Sequence, residues 1–150
     1  KVFEAFDTLG TLAVGATNLM TGPRVLLDSD GDGLPDAWEQ MYFGSPTAAT
    51  RTGDPDNDRF LNWSEYRAGT IPTNALSFLG IRSMAVAPGG TVVNWSSEPG
   101  KLYHLERTTD LTPGFNQVVG SNLPATQPLN TFTDTNAVGN GPFFYRIRLE

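Results

Sequence analysis

Residues 28–39 read D-S-D-G-D-G-L-P-D-A-W-E, and residues 54–65 read D-P-D-N-D-R-F-L-N-W-S-E. Numbered 1 to 12, both stretches place aspartates at 1, 3 and 5 and a glutamate at 12. In the first these are Asp28, Asp30, Asp32 and Glu39, with Asp36 at position 9. In the second they are Asp54, Asp56, Asp58 and Glu65, with Asn62 at position 9. Position 7 lends a backbone carbonyl, from Leu34 and Phe60 respectively. Oxygens on alternate residues converge on one ion, and the glutamate closes the shell with two more, which is the pattern of a looped Ca²⁺ site. Two Ca²⁺ ions are therefore expected. Flexible shells of six or seven oxygens suit Ca²⁺ better than Mg²⁺, which demands a tight octahedron. Gly33 at position 6 permits a backbone angle that a Cβ resists. Arg59 holds that position in the second loop, where a left-handed non-glycine residue costs roughly 1–2 kcal/mol. The second site is expected to be weaker or slightly distorted.

Charge distribution agrees with this reading. The 150-residue chain has sixteen acids and ten bases, for a net charge of −6. The two windows hold nine of the acids and one base, Arg59, whereas the remaining chain is slightly basic. Like charges this close repel unless a cation sits among them. The acidic balance argues against a nucleic-acid partner. The absence of cysteine excludes disulfides, zinc-thiolate sites and thiol nucleophiles. A single histidine, His104, leaves triads and multi-histidine metal sites poorly supplied. No apolar run approaches the ~20 residues that span a bilayer, so no membrane insertion is expected.

Each loop leads into a short helix. Asp36 and Asn62 are predicted N-caps with Glu39 and Glu65 at capping-box spacing. Gly44 and Gly69 are predicted to end the helices, with Pro46 and Pro72 beyond. The residues before each loop, with Gly22-Pro23 in one case and a small, polar run in the other, do not read as helix. These repeats, D-S-D-G-D-G-L-P-D-A-W-E-Q-M-Y-F-G and D-P-D-N-D-R-F-L-N-W-S-E-Y-R-A-G-T-I-P-T-N, resemble the thrombospondin type 3-like, EF-hand-like calcium repeats of secreted and cell-surface bacterial proteins. The resemblance covers about residues 28–74. It implies an extracellular, calcium-rigidified connector and implies no catalysis. Dockerins share the plan of a loop and an exiting helix, but Gln40, Met41, Tyr42, Tyr66, Arg67 and Ala68 fit dockerin recognition poorly.

From Leu76 onward, short alternating runs are separated by turn residues. Strands are predicted near Leu79–Ala87, Thr91–Ser96, Leu102–Arg107, Phe115–Val119, Asn130–Thr133 and Phe143–Leu149. A spacing near ten residues suggests an antiparallel β-sandwich. The runs T-V-V-N-W-S-S, K-L-Y-H-L-E-R-T-T-D and F-F-Y-R-I-R-L resemble strands of fibronectin type III/immunoglobulin-like sandwiches, with Val93, Trp95, Tyr103, Leu105, Tyr145 and Ile147 facing the core. The segment is short for seven strands, so an edge strand is missing or supplied from elsewhere. His104 is expected to point outward, Trp63 to pack beside the second loop, and Arg107, Arg146 and Arg148 to decorate a strand face.

The expected fold class is mainly β with a small α-containing calcium module. An N-terminal extended segment (1–27) precedes the double calcium-loop module (28–75) and the β-sandwich domain (76–150). Within 1–27, Thr11–Leu19 reads as a strand. The leading functional expectation is a non-enzymatic, extracellular, secreted or cell-surface structural module that orients an adhesive or assembly domain. No nucleophile–base constellation remains once the acids are assigned to metal. Two alternatives stand beside it. One is a filament subunit assembled by strand donation, with homo-polymeric or neighbouring-domain contacts. The other is a polysaccharide- or protein-binding accessory module, for which Trp95 and Trp63 would have to form an exposed platform.

Overall fold

The computed structural model describes residues 26–139 and 141–150. The predicted strand at Thr11–Leu19 lies outside the described residues. The described chain divides into two compact units, 26–53 with 61–63, and 54–60 with 64–150.

The first unit is built around α1, Asp36–Phe43. Asp36 and Glu39 lie in its first turn, where carboxylates complement the exposed N–H groups. Trp38 packs against Tyr42 and Phe43 along one side, with ring centroids 5.3 and 5.7 Å apart. Gly44 ends the helix as predicted, in the left-handed region at φ 79° with its N–H on the Gln40 carbonyl. The start differs from expectation. Pro35 is the N-cap, and its carbonyl accepts from the N–H groups of Trp38 and Glu39. Asp36 instead binds Ser29 through both carboxylate oxygens, so no capping box forms. Pro35 supplies the preset φ for a helix start without a polar cap.

The second helix, α2 (Asn62–Ala68), ends at Gly69, also at φ 79°, whose N–H reaches the Glu65 carbonyl. Beyond it the second unit is all β. The strands are β1 (Ile81–Ala87), β2 (Gly90–Ser96), β3 (Leu102–Thr108), β4 (Gln117–Pro124), β5 (Leu129–Asp134) and β6 (Phe144–Leu149). They form two three-stranded antiparallel sheets, ordered β1-β2-β5 and β4-β3-β6. Five strands fall close to their predicted places. The fourth starts later and runs longer than predicted, because Leu111–Gly114 forms a turn and β4 then follows β3 through two register shifts. Pro124 is tolerated there because β4 is an edge strand.

The buried centre is Val93 and Trp95 from β2 with Tyr103 and Leu105 from β3, all four fully buried. Tyr145 and Ile147 pack against them half-buried. All six residues predicted to face the core therefore do so. Trp95 and Tyr103 meet edge to face at 6.0 Å, a favourable aromatic geometry. The Tyr103 hydroxyl accepts the Glu98 N–H at 2.8 Å, tying the β2–β3 turn to the core.

Arg107 corrects one expectation. It is buried, and its Nη1 lies 2.6 Å from Asp134, which also accepts from the Tyr145 hydroxyl at 3.1 Å. Alternation along β3 puts position 107 on the same side as Tyr103 and Leu105, so its charge requires an internal partner. Arg146 and Arg148 do lie half-exposed on the opposite face. Both bind Glu106 there, and these hydrogen bonds, Arg146's first, hold its carboxyl below the ordinary range.

Candidate metal centre

Asp28, Asp30 and Asp32 each bring a carboxylate oxygen within 4.8 Å of the others, as do Asp54, Asp56 and Asp58. The backbone explains the convergence. Asp28 accepts from the N–H of Gly31 and Gly33, both at 2.9 Å. Asp32 accepts from Leu34 at 2.8 Å and from Arg51 at 2.6 Å. The second loop repeats the scheme. Asp54 accepts from Asp58 at 3.1 Å and Arg59 at 3.0 Å, and Asp58 from Phe60 at 2.7 Å. The first aspartate thus clasps the amide of position 6, and the third clasps that of position 7, in both loops. Position 6 is left-handed in each, with φ 95° at Gly33 and φ 78° at Arg59. Position 4 is also left-handed, at Gly31 and Asn57. Asn57 tolerates this region better than most residues, a role unnoticed in the sequence.

The two glutamates at position 12 are buried. Glu39 accepts from the Ala49 N–H at 2.9 Å through Oε1, and Glu65 from the Thr70 hydroxyl at 3.3 Å through Oε1. Among the described residues, seven buried side-chain nitrogen and oxygen atoms lack a hydrogen-bond partner. Five of them are oxygens at predicted ligand positions: Glu39 Oε2, Asp56 Oδ2, Asp58 Oδ2, Asn62 Oδ1 and Glu65 Oε2. Buried acceptors are normally satisfied, so this concentration requires an explanation, and a cation supplies one.

The electrostatics agree. Burial, and then the negative charges of Asp56 and Asp58, push the Glu65 carboxyl up to about 7. Burial likewise raises Glu39, assisted by Asp30, Asp32 and Asp36 and opposed by the Ala49 amide. Burial raises Asp56 too, with Asp58 and Asp54 adding to it. Each acid is held in a field that disfavours its charged form, the field a cation reverses. Hard oxygen donors in this density can hold a metal ion.

The remaining predicted ligands are placed as follows. Asp36 lies outside the first triad, with both oxygens on Ser29. Leu34 is fully buried. The Phe60 ring stacks on Phe78 at 5.3 Å. Asn62 is buried and donates to the Thr50 carbonyl at 2.8 Å. The Trp63 ring carries the Arg51 guanidinium at 3.7 Å and reaches toward Gly33 in the first loop. Arg51 is the residue that sequence reasoning missed at this centre. Both its amide and its guanidinium serve the first loop, and it stands nineteen positions from the aspartate its amide binds.

The geometry defines a twice-repeated acidic loop, each with a buried glutamate, in a mainly β protein. Protein-family models, curated proteins and solved structures return no match to the chain.

Proposed function

We propose that this chain is a non-enzymatic, extracellular calcium-binding structural module in which two Ca²⁺ ions stiffen the loops that precede a fibronectin type III-like β-sandwich. The buried carboxylate oxygens without hydrogen-bond partners, at the positions where both loops need ligands, carry this reading. Asp28, Asp30, Asp32 and Glu39 hold one ion, and Asp54, Asp56, Asp58 and Glu65 hold the other. Two sheets contributing to one buried cluster support the sandwich. With a dissociation constant of about 10⁻⁴ M and about 10⁻³ M calcium, each site adds roughly 1.4 kcal/mol of stability. That matters to a chain with no disulfide. The carbohydrate-binding alternative finds less support, because Trp95 is fully buried and presents no platform.

Calorimetric titration of Ca²⁺ into the metal-free protein tests the proposal. Two ions per chain are expected, falling to one in Glu39→Gln or Glu65→Gln. A flat titration, with a melting temperature indifferent to chelator, defeats it.

A further inference from the structure

Asp54, Asp56, Asp58 and Glu65 belong to the same compact unit as the six strands. Two side chains join these acids to the sheets. The first is Phe60, at position 7 of the second loop. Its N–H donates to Asp58 at 2.7 Å, so its backbone is part of the loop's own clasp. Its ring lies nearly parallel to that of Phe78, with centroids 5.3 Å apart and planes 12° from each other. Phe78 is fixed to the sheets in turn. Its carbonyl accepts from the Ser96 hydroxyl of β2 at 2.6 Å and from the Arg82 guanidinium of β1 at 3.0 Å. The same guanidinium lies over the Phe78 ring at 3.8 Å. Ser96 follows the buried Trp95, and Leu79, next after Phe78, packs against the buried cluster.

The second side chain is Lys101, in the β2–β3 turn. Its ammonium donates to the Arg67 carbonyl at 2.6 Å. That carbonyl lies in the last turn of α2, where unpaired acceptors and the negative end of the helix dipole favour a cation. Gly69 leaves room for the approach, since a Cβ there would stand 3.1 Å from Lys101 Cε. Lys101 thus grips the helix that carries Glu65. The loop itself needs a counter-ion: Asp56 Oδ2, Asp58 Oδ2 and Glu65 Oε2 are buried without a hydrogen-bond partner.

We propose that Phe60 and Lys101 make the second calcium site and the sheet core one cooperative unit, so that Ca²⁺ bound at this site holds the core closed. The inference rests on the calcium reading and extends it from the loop to Val93, Trp95, Tyr103 and Leu105. An ion that binds the folded loop and not the opened one stabilises every element that opens together with that loop. Phe60 and Lys101 are positioning residues here, one acting through Phe78 and the other through α2.

Residue-resolved hydrogen exchange on the full chain tests it, read at the amides of Val93 and Leu105, with calorimetry counting the ions. With free Ca²⁺ at ten times the measured dissociation constant, both amides are expected to exchange about tenfold more slowly than in chelator. Glu65→Gln should abolish the slowing. Phe60→Ala combined with Lys101→Met keeps every proposed ligand, so it should still bind two ions while the core amides cease to respond. The ratio of rates with and without Ca²⁺ is compared within each variant, so a general loss of stability does not imitate the result. Two bound ions with unchanged exchange in the unsubstituted chain overturn the coupling and leave the calcium reading standing. Slowing that persists in Glu65→Gln, or undiminished in the double variant, overturns it as well. A flat titration overturns the calcium reading and this inference together.

Discussion

Position 6 of each loop poses the same backbone demand to two different residues. Gly33 meets φ 95° without a side chain, and Arg59 meets φ 78° against the steric preference of an L-residue. Arg59→Gly should therefore stabilise the calcium-loaded protein by roughly 1 kcal/mol, raising its melting temperature by about 3 °C. Gly33→Ala should do the reverse by about 1–2 kcal/mol. Its Cβ would stand 2.5 Å from the Arg51 guanidinium and would push it off Trp63. Urea denaturation of the two variants checks both signs. Glu65 adds a pH prediction. Its folded-state carboxyl, up to about 7 without metal, is above the ordinary 4.5, so the folded chain holds a proton that the unfolded chain releases between those values. Stability from this group is present below pH 4.5 and is lost as pH rises through 7. Chelated protein should thus melt lower at pH 7.5 than at pH 5, and Glu65→Gln should flatten that slope.

At the scale of elements, α1 and α2 were legible because their stops are local: Gly44 and Gly69 adopt the left-handed conformation that ends a helix. Their starts were less legible, since Asp36 had two partners to choose from and took Ser29. Strand alternation was clear enough to single out the core-facing side of β2, β3 and β6. The extent of β4 was not legible, because it is decided by how far β3 offers pairing partners. The Tyr103 side chain ties the β2–β3 turn to the core, and this is testable. Tyr103→Phe keeps the ring against Trp95 but leaves the Glu98 N–H without its acceptor. A loss of about 1 kcal/mol in thermal unfolding is expected, with the fold unchanged.

Across the whole second unit, the least legible feature is the buried pair Arg107–Asp134. Twenty-seven residues separate the partners, and Tyr145 and Gln117 add hydrogen bonds to the same group. Asp134→Ala should cost about 3–5 kcal/mol, because it strands a buried guanidinium. The double variant Arg107→Met, Asp134→Leu should recover most of that, since an apolar pair needs no counter-charge. Thermal melts of the single and double variants give the coupling directly; equal losses in both would place the cost in packing and not in charge.

The sequence by itself determined the acidic loops, the helix stops and the alternating strands, because each is written in residues close along the chain whose spacing matches a backbone geometry. Only the tertiary structure decided which carboxylate oxygens are buried without a hydrogen-bond partner, that Arg107 turns inward to Asp134, and that Met84 and Val86 are exposed. Those outcomes depend on which distant surfaces meet, and burial, unlike spacing, is a property no short stretch of chain possesses.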